Sequence, residues 1–405
     1  MASGHGGSPR FGALRHRDFR ILWIASLVSN IGTWMQIVTQ GWLIYTLTNS
    51  AAYLGLMGLM RAIPLIAFPL VGGVLADRMP RVRILVVTQI AAALLAAVLA
   101  TLTVTDAVQA WHVLAFAFLN GIVAAFDQPA RQALLPDLVS KENLMSGISL
   151  NAWAFNGAIL IGPALAGLAL PYIGIGGSFY ANAISFLAVL WALFVIRPPE
   201  QALSIGSAKQ NLIDGLRFVF GTPAVLWLIA IVFAIGLFGR GYAQMFPVFA
   251  RDALGLDAQG LSVLYTLTGL GACVGAVLLA FMDDLPRKGP FIWAAGTLFG
   301  AALAAFAFSH GIELSFLLAF IMGLAVIVLA TLLTTSLQLL TPPEFRGRVM
   351  SVYTLCWAGM EHVSLLLMGT LASLWAASFA VGLAGVAIVL VLGAIILARP
   401  DVRSL

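Results

Sequence analysis

The chain has 405 residues; 61% are apolar and 9% are charged, and the formal net charge is +5. A soluble domain carries roughly 25% charged residues, so this chain cannot cover a solvated surface. Long soluble domains, disordered chains and a β-barrel of alternating strands are excluded, and the positive balance points to membrane topology rather than to nucleic acid.

A membrane-spanning helix needs about 20 apolar residues. Uncharged runs of that length predict twelve helices, near 19–47, 53–76, 82–104, 112–134, 145–171 and 178–197, then 222–249, 259–282, 290–309, 313–339, 347–373 and 377–398. The segments 48–53 (TNSAAY) and 172–178 (YIGIGGS) read as turns inside longer apolar runs. The polar first 18 residues lead into no small-residue cleavage site, so no cleaved signal peptide is expected. Cys273 and Cys356 stand alone in apolar runs and suggest neither a disulfide framework nor a metal site. None of Lys141, Lys209 and Lys288 lies in a phosphate-binding loop. No cofactor, no metal and no enzymatic activity are expected.

The basic residues set the orientation. Eighteen of the 21 Lys and Arg fall on one side. They occupy the N-terminal tail (Arg10, Arg15, Arg17, Arg20), the 2–3 loop (Arg78, Arg81, Arg83) and the 4–5 region (Arg131, Lys141). The others lie in the central loop (Arg197, Lys209, Arg217), the 8–9 loop (Arg287, Lys288), the 10–11 loop (Arg346, Arg348) and the C-terminal tail (Arg399, Arg403). Arg251 alone falls opposite, and Arg61 and Arg240 lie inside helices. The positive-inside rule then places both ends and the central loop in the cytoplasm.

A tandem repeat runs through the chain. Leu22-Trp23 and Ile31-Gly32 recur as Leu226-Trp227 and Ile235-Gly236, and Gln40 recurs as Gln244, all at an offset of 204. Asp77 through Arg81 match Asp283 through Arg287, and Leu134-Leu135, Met145-Ser146 and Leu150 match Leu339-Leu340, Met350-Ser351 and Leu355. An all-α membrane protein follows, with twelve transmembrane helices in two pseudo-symmetric six-helix bundles. The expected parts are a cytoplasmic tail (1–18), an N-terminal bundle (19–197), a cytoplasmic linker (198–221), a C-terminal bundle (222–398) and a second tail (399–405). Related bundles can rock about a central site, which suits a transporter.

The residues Gly73-Val-Leu75-Ala-Asp77-Arg78-Met-Pro80-Arg81-Val-Arg83 resemble the 2–3 loop signature of the major facilitator superfamily, G-x-L-x-D-R-x-G-R-R/K, with Pro80 where Gly is usual. The resemblance implies a cytoplasmic gate of Asp77, Arg78, Arg81, Asp127 and Arg131, with Asp77, Arg81 and Asp127 as the latch. A plainer reading is that these cations only fix topology. Gly162-Pro163-Ala164-Leu-Ala166-Gly167 resembles the antiporter motif G-P-x-x-G-G, with Ala166 replacing one Gly. Gly162, Pro163 and Gly167 would then mark an exporter, although small residues also serve ordinary helix packing. The stretches FDQPARQALLP (126–136), FPVFARD (246–252) and RGRVMS (346–351) resemble the drug and siderophore efflux branch that holds enterobactin exporters and macrolide efflux proteins.

Ionisable groups inside the membrane cost roughly 2.5–3.5 kcal/mol on insertion scales and usually have a partner or a wet cavity. Glu361 and His362 near the middle of helix 11 are the candidate proton carriers, with a structural hydrogen bond as the alternative. Gln36 and Gln40 in helix 1 and their repeat partners Arg240 and Gln244 in helix 7 are four residues apart, so each pair shares a face. With Arg61, Asn120 and Asn156 they are the substrate-cavity candidates. The expected function is proton-coupled export of hydrophobic or amphipathic small molecules by rocker-switch alternating access, the chain acting as a monomer in the lipid bilayer. Export of a catecholate siderophore is the first alternative, favoured by Arg61 and Arg240. A non-transporting receptor or scaffold is the second.

Overall fold

The computed structural model describes residues 12–68, 79–197, 208–281 and 287–398. Helices account for the described elements, and no strand occurs among them. The first group comprises α1 (Arg17–Thr48), α2 (Ala51–Ala67), α3 (Arg81–Val104), α4 (Ala110–Leu134) and α5 (Leu144–Val195). A helix over Ala208–Gly221, α6, then leads into α7 (Pro223–Gly239), α8 (Ala258–Ala280), α9 (Gly289–Ala307) and α10 (Ile312–Leu340). The last three are α11 (Pro343–Thr354), α12 (Met360–Leu374) and α13 (Ala377–Ala398).

Ten spans among the described residues are long and apolar enough to cross a bilayer, and α2 is a shorter apolar helix. One of the ten, α5, holds two arms that meet at Gly174, whose φ of 64° and ψ of −176° leave the helical region. Counting both arms and α2, twelve apolar helical segments are present among the described residues. The turn expected over seven residues thus narrows to a single glycine, because only Gly takes that φ without a Cβ clash. The turn between α1 and α2 is two residues long, with Asn49 at a φ of 50°. The expected linker contains a helix of its own, α6.

The spans are apolar around much of their circumference. Trp191, Phe194, Leu168, Leu390 and Leu397 are more than half exposed, which suits a lipid-facing surface. Lipid is as apolar as these side chains, so close packing rather than water exclusion must hold the helices together. Glycine supplies it. A Cβ on Gly162 of α5 would lie 2.8 Å from the Ile31 carbonyl oxygen of α1.

By contact the chain falls into two compact units, residues 1–39 with 63–206, and 40–62 with 207–405. In the first, Phe19, Leu22, Ile84, Leu85, Leu134, Leu138, Leu150, Val189 and Leu193 form a buried core. In the second, Tyr242, Phe246, Phe249, Tyr265, Phe299 and Phe306 pack edge-to-face or tilted, with ring centroids 5.1 to 5.7 Å apart. There α2 meets α12 backbone to backbone: a Cβ on Gly369 would lie 2.9 Å from the Ala51 carbonyl oxygen.

Candidate functional site

The expectation over 222–249 is one unbroken helix, but α7 stops at Gly239 and a 3₁₀ turn, Tyr242–Met245, follows. Pro247 lacks the N–H that an α-helix would donate to Ala243, so the helix cannot run through regularly. The backbone at the break comes close to α12. The Gly241 N–H donates to Ser364 Oγ at 3.0 Å, and a Cβ on Gly241 would lie 2.7 Å from the Leu365 nitrogen. Just ahead of α12, residues Leu355–Gly359 form a π-helical turn. Gly236 of α7 makes room for it: a Cβ there would overlap the Cys356 carbonyl oxygen.

These two irregular segments bring Arg240 and Glu361 together. Arg240 Nη2 donates to Glu361 Oε2 at 2.6 Å, and Gln244 Nε2 donates to Glu361 Oε1 at 3.3 Å. The pair is partly buried, with 27% of the Arg240 side chain and 24% of the Glu361 side chain exposed. The Arg240 guanidinium sits 5.2 Å from the Trp357 ring centroid, and Trp357 stacks on Tyr353 at 5.9 Å. A carboxylate in an apolar span is costly alone, and the charge-assisted bonds offset that cost. Arg61 of α2 and His362 lie within electrostatic reach of Glu361. The Arg61 Nε, Arg240 Nε and His362 Nδ1 atoms are buried without a hydrogen-bond partner among the described residues. Four of the expected polar residues, Arg61, Arg240, Gln244 and Glu361, are thus gathered in one unit.

The other cavity candidates are arranged differently. Gln36 is buried and accepts a hydrogen bond from Asn182 Nδ2 at 2.7 Å, and Ser185 donates to Asn182. Gln36 is therefore tied inside its own bundle. Gln40 is half-buried on α1. Asn120 donates to the Phe116 carbonyl one turn back on α4. Asn156 belongs to α5, and its side chain lies outside the described set. Gly162 lets α1 approach, Pro163 is buried and Gly167 half-buried farther along α5.

Of the expected gate, Asp77 and Arg78 lie outside the described residues. Arg81 donates to Asp137 Oδ2 at 2.5 Å and to the Ala133 carbonyl at 2.8 Å. Asp127 instead accepts from Thr88, Gln89 and Arg131, and Arg131 also donates to Ser26. The two carboxylates thus take different arginines, since Asp127 is one helical turn from Arg131 on the same face. Asp137 was not among the expected residues; an acid just past the end of α4 was its only signal. Tyr45 and Asp252 were missed too. The Tyr45 hydroxyl donates to Asp252 Oδ2, and Arg251 lies 5.8 Å from the Tyr45 ring centroid.

Residues 8–405 match the family described as transmembrane secretion effectors. The chain belongs to this family of the major facilitator superfamily. Among relatives of these transmembrane secretion effectors, the multidrug efflux pump Tap of Mycolicibacterium fortuitum is 28% identical, over 87% of this chain and 88% of Tap. The staphyloferrin A transporter of Staphylococcus aureus is 26% identical over 74% of this chain and 76% of its own. The enterobactin exporter EntS of Shigella boydii is 25% identical over 93% and 92%. A bacterial homologue of the human lysosomal transporter Spinster shares the fold, with a TM-score of 0.71, 16% identity and coverage of 98% of this chain and 97% of that one. The chain is a multi-pass membrane transporter of the secretion effector family and not an enzyme.

Proposed function

We propose that this chain exports hydrophobic or amphipathic small molecules across the bacterial inner membrane, energised by the proton motive force, through alternating access of its two bundles. The single observation that carries the reading is Glu361, a lone carboxylate inside an apolar span with an exchangeable partner, Arg240. A proton can neutralise Glu361 only if Arg240 lets go, so protonation and a change of side-chain partners are linked. A cationic or neutral cargo that needs the free carboxylate competes with the proton, which is the logic of antiport. His362 stands next to the same carboxylate as a second proton acceptor. The asymmetry of basic residues supports cytoplasmic termini. Asp77, Arg78, Arg81, Asp127 and Arg131 serve as the cytoplasmic gate, Asp137 joins them through Arg81, and the chain works as a monomer.

The test is transport in proteoliposomes under an imposed pH gradient. Glu361→Gln is expected to abolish both gradient-driven accumulation of a cationic dye and its exchange at zero gradient, because dye and proton share that carboxylate. Full gradient-driven transport by this variant would remove Glu361 from the coupling. A second reading, export of an acidic siderophore, is favoured by one observation: two guanidinium groups, Arg61 and Arg240, face a single carboxylate. The siderophore transporters and the drug pump among the relatives support both cargo classes.

A further inference from the structure

The charge count of the cluster does not close. Arg240 is matched by Glu361 at 2.6 Å, and Gln244 holds the other carboxylate oxygen. Arg61 is left over. It makes no hydrogen bond or ion pair with any described residue, and its Nε is buried. The titratable and charged groups around Glu361 are Arg61 from α2, Arg240 and Tyr242 from the broken span, Tyr265 from α8, and His362 on its own helix. With His362 uncharged, the group carries one net positive charge inside an apolar span. Such a charge is costly unless an anion meets it.

We propose that Arg61 is the anchoring site for the carboxylate or phenolate of an anionic cargo, which binds while Glu361 stays on Arg240. This rests on the second reading above. Binding brings the cluster to neutrality, with two cations facing Glu361 and the cargo anion. The unpartnered nitrogens of Arg61 and His362 supply donors that the resting arrangement leaves unused. No proton need be exchanged at Glu361. Outward movement of the cargo therefore carries one negative charge out of a negative interior, and the membrane potential drives it. The anion at Arg61 does not share the Glu361 carboxylate with the proton, whereas a cationic cargo and the proton compete for it. The two cargo classes thus draw on different halves of the proton motive force.

Three probes that share the dansyl fluorophore and differ in charge test this: dansylglycine (anionic), dansylamide (neutral) and dansylcadaverine (cationic). Binding to the purified full chain is read by dansyl fluorescence. Dansylglycine is expected to bind, Arg61→Gln to lose it, and Arg61→Lys, which keeps the charge, to restore it in part. Glu361→Gln is expected to tighten dansylglycine binding, because a competing negative charge is gone. In proteoliposomes a valinomycin-set potential is expected to distribute dansylglycine by about 50-fold per 100 mV, with a pH gradient alone moving it little. The proposal is overturned if the unmodified chain does not bind dansylglycine. It is equally overturned if Glu361→Gln weakens that binding, if Arg61→Gln retains it, or if dansylglycine transport follows the pH gradient instead of the potential. Dansylcadaverine transport tests proton-coupled export separately, so either reading can fail without the other.

Discussion

Trp357, Arg240 and Glu361 form a short stack in which each member has a different reason to be there. The indole face receives the guanidinium, and the guanidinium receives the carboxylate. Removing one ion from such a pair leaves the other stranded in low dielectric. Arg240→Ala is expected to destabilise the detergent-solubilised protein by about 2 kcal/mol, below the fully buried range because both side chains are partly exposed. The double variant Arg240→Ala, Glu361→Ala should recover much of the loss in a thermal melt. A double variant no more stable than Arg240→Ala alone would mean that the pair is not what Arg240 serves. The individual polar positions were legible in the sequence because charge is conspicuous in apolar runs. Their pairing was not. Nothing in the spacing of Gln36 and Arg240, equivalent in the repeat, shows that one meets Asn182 and the other Glu361.

Helix existence followed from hydropathy, and most predicted ends fall within a few residues of the observed ones. What hydropathy could not show is where a helix breaks without a polar signal. The break at Gly174 falls inside the turn read from the glycines of 172–178, but the break after Gly239 depends on Pro247 and on how closely α12 approaches Gly241. The glycines themselves divide into two kinds. A Cβ on Gly236 would overlap the backbone of residue 356, whereas one on Gly157 meets nothing within 4 Å. Gly236→Ala is expected to cost about 1–3 kcal/mol through overpacking, and Gly157→Ala to change stability by about 0.5 kcal/mol or less. Melting temperatures of the two variants in the same detergent check this; similar values would mean that the α7–α12 approach is not tight in solution.

At the scale of the molecule, the basic residues predict a sidedness that cysteine labelling can read. In a background with Cys273 and Cys356 replaced by Ser, Thr105→Cys and Gln259→Cys are expected to react with a membrane-impermeant maleimide in intact cells. Arg83→Cys and Arg287→Cys should react only after permeabilisation; the reverse pattern would invert the topology. The repeat that runs through the chain is also unequal in a way that sequence offset conceals. Residues 150–154 are ordinary α-helix, while their counterparts Leu355–Gly359 form a π turn, and the other π turn, Phe249–Ala253, belongs to the same half. A π turn stores one residue of slack in a helical rod. Rewinding it as α-helix would swivel every side chain beyond it by about 100°. Glu361, two residues past the slack, would then unhook from its arginine chiefly by rotation, with an axial shift of only about 1.5 Å.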